Sequence, residues 1–231
     1  RRGLLQHGRE IAGSGPGDRG KYLYRVDEMK LALDSMLTSV PFGKLIDRNR
    51  VAVGGHSLGA FTALGLCGTI QERRDTRLRA VLLFSPGAGG YLFGEDELEG
   101  VRIPSLLFMG ERERGQPRGS HTMAELSEKI YRNVSSPKYF LEVRGANHFS
   151  FNSCLANSPR RRPLCGTEEQ FEVIRRYSIA FLESYVAGRP GFDEALGRGQ
   201  AMLTRCLGDP LPDASGANQS AQQGAPADAA P

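Results

Sequence analysis

The chain has 231 residues, of which 39% are apolar and 24% charged, and it carries a formal net charge of +4. That length and balance suit one domain with a sizeable core and exclude a disordered or fibrous polymer. No apolar run approaches the roughly 18 residues of a membrane span, and the modest positive charge is scattered along the chain.

Residues 1–20 are polar and Gly-rich and read as a flexible lead-in. A His7-Gly8 pair lies there, but no apolar strand precedes it, so an oxyanion-loop reading is set aside. Residues 27–38 place Met29, Leu33, Met36 and Leu37 at helical spacing, and Pro41 and Gly43 then break the chain. Next comes Val51-Ala52-Val53-Gly54, short enough for a buried strand, followed directly by Gly55-His56-Ser57-Leu58-Gly59-Ala60 and a segment apolar nearly all round. This order of strand, Gly-x-Ser-x-Gly and helix reads as a nucleophile elbow, a turn so tight that Gly55 and Gly59 are expected where side chains would collide.

Three more runs of strand length follow, apolar at residues 80–84 and 105–109 and partly alternating at 138–143. Helical stretches at 122–131 and 168–186 separate or follow them, which predicts an α/β fold: a mostly parallel sheet with helices on both faces. A short amphipathic helix is expected to end near Leu207, and residues 208–231, rich in Ala, Gly, Pro, Gln and Ser, read as a disordered tail. The domain is thus expected over residues 21–207. Arg160-Arg161-Arg162, bounded by Pro159 and Pro163, lacks interleaved aromatics and reads as a solvated loop, so no nucleic-acid partner is expected.

Ligands of such sheets bind beyond the C-terminal strand ends. There the loop after the third run holds Gly110-Glu111-Arg112-Glu113, and the loop after the fourth holds Gly145-Ala146-Asn147-His148-Phe149. A serine hydroxyl needs a base within hydrogen-bond reach, and that base needs a carboxylate to fix its tautomer. Ser57 is therefore the expected nucleophile, His148 the general base and Glu113 the acid, with Glu111 as the alternative acid. The Leu58 amide, at a helix N-terminus, is the expected oxyanion donor. His56 is expected to point away from the reacting centre. Ser85-Pro86-Gly87 also follows a strand, but Pro86 is expected to forbid the helix that an elbow requires. Phe149, Phe151 and the residues 88–93 are candidates for an apolar acyl pocket.

Gly55-His56-Ser57-Leu58-Gly59-Ala60, residues 80–84, 104–113 and Gly145 to Phe151 resemble the back half of the α/β-hydrolase superfamily. They are most similar to its dienelactone-hydrolase-like and platelet-activating-factor-acetylhydrolase-like esterases, over residues 27–186. The resemblance implies hydrolysis of a small-molecule or lipid carboxylic ester through an acyl-enzyme, with no metal and no cofactor. The family usually places Asp where Glu113 stands. Its members also carry several strands and a His-Gly-type oxyanion loop ahead of the elbow, where this chain offers 50 residues with one helix and no recognisable strand. The chain is accordingly expected to be a C-terminal portion lacking the front strands and one oxyanion donor. Two further readings stand beside the esterase: a non-catalytic binding or relic domain, and an acyltransferase.

Of four cysteines, Cys154 and Cys165 bracket a loop just after His148 and are expected to form a disulfide, which would favour a secreted or periplasmic location. Cys67 reads as a small buried residue, Cys206 as a residue of the last helix. The spacing of zinc sites is absent from the sequence.

Overall fold

The structure is a computed structural model, and it describes residues 16–151, 165–198 and 201–210. The strands are β1 (Val51–His56), β2 (Leu78–Phe84), β3 (Ser105–Gly110), β4 (Pro117–Arg118), β5 (His121–Thr122), β6 (Lys138–Val143) and β7 (Leu203–Asp209). The α-helices are α1 (Leu23–Thr38), α2 (Leu58–Leu64), α3 (Gly87–Leu92), α4 (Glu95–Leu98), α5 (Met123–Asn133), α6 (Glu168–Tyr185) and α7 (Phe192–Gly197).

Five strands form one sheet in the order β1-β2-β3-β6-β7; β1, β2, β3 and β6 run parallel and β7 is antiparallel to β6. The runs at residues 80–84, 105–109 and 139–143 are continuous because both faces of the sheet are covered there, whereas β1 is only half-buried. Val81, Leu83, Leu107, Met109 and Phe140 face the core shared with Val26, Phe61, Leu64, Leu92 and Ile130 from helices α1, α2, α3 and α5. Their alternating neighbours Leu82, Leu106, Phe108, Tyr139, Leu141 and Val143 pack on the other face against Val173, Ile174, Tyr177, Phe181 and Phe192 from α6 and α7. The expected mostly parallel sheet with helices on both faces is the observed one, an α/β-hydrolase-type fold.

Three expectations need correction. The last segment is not a helix ending near Leu207: after α7 the chain forms β7, with Cys206 on a strand and Gly208 and Asp209 still paired to Tyr139 and Lys138. The open edge of β6 supplies backbone partners that outweigh local helical spacing. Pro86 does not forbid a helix: it precedes α3 at the cap position, where an absent N–H removes no helical bond. Residues 88–93 are not a pocket-lining loop, because Ala88, Leu92 and Phe93 are core residues and Phe93 stacks on Phe61 with ring centroids 4.8 Å apart. Ahead of α1, residues 16–22 form a 3-10 helix whose Tyr22 is buried against Phe61.

His7, Cys154, the arginine cluster 160–162 and the tail beyond residue 210 lie outside the described residues, and with Cys154 so does the expected Cys154–Cys165 bridge. Among the described residues β1 has β2 as its one strand partner, and no helix is long and apolar enough to cross a membrane.

Candidate active site

Three loops meet at the C-terminal ends of β1, β3 and β6. At the end of β1 the chain reverses into α2 within one residue, Ser57, whose φ of 55° and ψ of −119° lie outside the regions an L-residue favours. The strain is held from both sides: Ser57 N–H donates to Phe84 O at 3.0 Å, and Ser57 O accepts from Ala60 N–H at 3.0 Å. A Cβ on Gly55 would stand 2.1 Å from Gly59 O, so glycine is required there. Gly59 differs from expectation. A Cβ on it would meet no described atom within 4 Å, because it faces the groove between α1 and β1 instead of the strand.

The loop after β3 folds as a single 3-10 turn, residues 111–113, that presents Glu113 inward with none of its side chain exposed. Burying a carboxylate is costly unless every lone pair is answered. Ser85 Oγ and Gly110 N–H donate to its Oε1 at 2.6 and 2.9 Å, and His148 Nδ1 donates to Oε2 at 2.7 Å. Ser85 is itself fully buried and strained, with φ 47°. Nothing in the sequence next to Ser85 marks this role, because the carboxylate it serves lies 28 residues away.

The loop after β6 carries His148. Asn147 N–H donates to Ser150 Oγ at 2.9 Å, and Phe149 N–H donates back to Asn147 Oδ1 at 2.8 Å, a local turn that sets the histidine's direction. Besides the His148–Glu113 bond, two more tie this loop to the acid loop: Arg112 N–H to Ala146 O at 2.9 Å, and Gly145 N–H to Glu111 Oε2 at 2.7 Å. Gly110 permits that approach, since a Cβ there would stand 2.6 Å from Ala146 O. Glu111 is thus placed on the backbone of the histidine loop, and Glu113 is the carboxylate on the ring.

His148 Nε2 stands 2.9 Å from Ser57 Oγ. A carboxylate only accepts, so Nδ1 carries the ring proton toward Glu113, and Nε2 of the neutral ring is left to accept from the serine hydroxyl. Ser57, His148 and Glu113 therefore form one continuous hydrogen-bonded chain. The Leu58 amide opens α2 and belongs to the first turn, whose N–H groups have no intrahelical acceptor. His56 departs from expectation: its Nε2 lies 2.7 Å from His148 O and its ring centroid 4.8 Å from that of His148. Phe149, on the outer side of His148, is 43% exposed. Among the described residues no cluster of His, Cys, Asp or Glu could hold a metal ion.

Sheet order and loop placement define the class: an α/β-hydrolase fold with its elbow serine on the rim. The PETase family, described as PET hydrolase-like, matches residues 14–202, and the chain belongs to that family. Among curated relatives, it is 28% identical over 166 residues to Cutinase est1 of Thermobifida alba, covering 70% of this chain and 46% of that one. Lipase 1 of Moraxella sp. (strain TA144) is 25% identical over 176 residues, 74% of this chain and 44% of the lipase. Platelet-activating factor acetylhydrolase of Cavia porcellus is 26% identical over 183 residues, 75% of this chain and 39% of that protein. The chain thus spans less than half the length of these relatives. A dienelactone hydrolase from Anabaena variabilis ATCC 29413 superposes with a TM-score of 0.45 at 15% identity, over 66% of this chain and 56% of that one.

Proposed function

We propose that the chain is the catalytic part of a serine hydrolase that cleaves carboxylic esters through an acyl-enzyme. The observation that carries this reading is the unbroken chain Ser57 Oγ, His148 Nε2, His148 Nδ1 and Glu113 Oε2, with bonds of 2.9 and 2.7 Å. Family membership and the names of the relatives, cutinase, lipase and acetylhydrolase, support ester substrates.

In this mechanism His148 Nε2 takes the Ser57 proton as Oγ attacks the ester carbonyl. Glu113, held by Ser85 and Gly110, stabilises the imidazolium that forms. The Leu58 amide donates to the oxyanion of the tetrahedral intermediate. Collapse expels the alcohol, which takes the proton from His148. Water, deprotonated by the same nitrogen, then releases the acid and restores Ser57. An acceptor alcohol in place of that water would make the same acyl-enzyme a transferase. The exposed Phe149 beside His148 offers an apolar surface to the substrate.

A p-nitrophenyl ester series of increasing acyl length tests the reading. Hydrolysis above background that disappears in both Ser57→Ala and His148→Ala is the expected result. Turnover that persists in Ser57→Ala, or none from the folded chain on any member of the series, would overturn it and favour a non-catalytic binding domain.

A further inference from the structure

We infer that His56, the elbow residue before Ser57, is a positioning residue that holds the histidine loop at its working distance from the nucleophile; this rests on the ester-hydrolase reading above. The inference starts from the acceptor. His56 Nε2 lies 2.7 Å from the backbone carbonyl oxygen of His148, and a carbonyl cannot donate, so the proton of this bond belongs to His56.

The bond joins two elements that, apart from the reacting atoms themselves, the described hydrogen bonds leave separate. Arg112 and Glu111 anchor the histidine loop to the acid loop, through Ala146 O and Gly145 N–H. Those contacts fix His148 relative to Glu113, not relative to β1. His56 is the last residue of β1, covalently adjacent to Ser57, and its ring reaches across to the main chain of His148 itself. The nucleophile and its base are therefore linked twice, once through the reacting atoms at 2.9 Å and once through backbone. The second link persists when Ser57 Oγ turns toward a substrate.

Packing restricts the ring to this task. Its centroid stands 4.8 Å from that of His148 and 6.1 Å from that of Phe151, which in turn packs on Phe84 at the end of β2. Burial, and then the nearness of His148, lower the His56 pKa, while the hydrogen bond to the His148 carbonyl and then Glu113 act in the opposite direction. The lowered pKa disfavours a second positive charge beside the imidazolium that forms on His148, and Nε2–H donates to the carbonyl whether or not Nδ1 is protonated.

The test compares His56→Phe, which keeps an aromatic ring without the donor, with His56→Gln, whose amide can donate. A fluorophosphonate that reacts with Ser57 gives two numbers: the amplitude counts competent sites and the rate constant reports their geometry. Loss of one positioning hydrogen bond predicts a rate per site about tenfold lower in His56→Phe at unchanged amplitude. His56→Gln is expected within about threefold of the parent on the same scale. Amide exchange at residues 148–150 should quicken in His56→Phe and stay protected in His56→Gln. A parental rate in His56→Phe, a rate in His56→Gln as low as in His56→Phe, or unchanged exchange in the loop would overturn the inference. If Ser57 of the parent does not react at all, the ester-hydrolase reading fails, and the exchange comparison still decides whether His56 holds the loop.

Discussion

Glu113 turns one carboxylate oxygen to His148 at 2.7 Å, and none of its side chain is exposed to solvent. The other oxygen is already committed to Ser85 Oγ and Gly110 N–H. The carboxylate therefore cannot rotate without breaking two bonds, and this gives a sharp prediction for Glu113→Gln. The amide oxygen will take the place that accepts twice, which points the NH₂ group at His148 Nδ1. Nδ1 must then be unprotonated and the proton moves to Nε2, the wrong tautomer for a base. Turnover should fall on the order of 10⁴-fold, as when the orienting carboxylate of a serine protease is amidated. The kcat of purified, folded protein checks it.

Ser85 should contribute to both stability and rate. Ser85→Ala leaves one donor fewer on a fully buried carboxylate and is expected to cost about 1–3 kcal/mol in urea unfolding, with a lower kcat. Its φ of 47° separates the causes. Ser85→Gly relieves the backbone but loses the same hydroxyl, so equal kcat losses in the two variants would assign the effect to the hydrogen bond.

The two elbow glycines should behave oppositely. Gly55→Ala forces a Cβ against the Gly59 backbone at 2.1 Å and should unfold the elbow or abolish activity. Gly59→Ala sits in a helix with open space around the new methyl, so it should be neutral or stabilising by up to about 1 kcal/mol. Thermal melts and ester turnover of the pair decide this.

Asp75, 6% exposed, accepts two side-chain bonds from Arg77, at 2.8 and 2.5 Å, and Arg77 also reaches Asp34 on α1. The Arg77 hydrogen bonds hold the Asp75 pKa below its ordinary 3.8. A folded pKa below the unfolded one means stability that is fully present above about 3.8 and is lost as pH falls through the lower, folded value. Asp75→Asn should thus be less stable than the parent at pH 7, by about 1–2 kcal/mol because Arg77 is partly exposed. That gap should close as denaturant melts are repeated at pH values falling from 3.8.

Much of the sheet was legible because its inner strands are covered on both faces: β2 and β3 read as apolar runs between breakers, β6 as a partly alternating one, and β1 as a short run ahead of the elbow. The candidate site was legible for a related reason. A serine between close glycines, and a His and a Glu each just past a buried strand, are set by the rule that chemistry gathers at strand ends. What escaped was decided by partners distant in sequence. Leu203 to Asp209 becomes a strand only because β6 offers an edge, and nothing local announces it. The Ser85 hydroxyl and the His56 ring gain meaning only when Glu113 and His148 O arrive, from 28 and 92 residues away. Choosing between Glu111 and Glu113 likewise required knowing which carboxylate faces a ring and which faces the Gly145 amide.

The most direct test of the central claim is intact-mass analysis of the folded chain after exposure to a fluorophosphonate, followed by peptide mapping. The account predicts one adduct per chain, on Ser57, absent in Ser57→Ala and slowed by orders of magnitude in His148→Ala. An adduct elsewhere, equal labelling of His148→Ala, or no adduct on folded protein would contradict it.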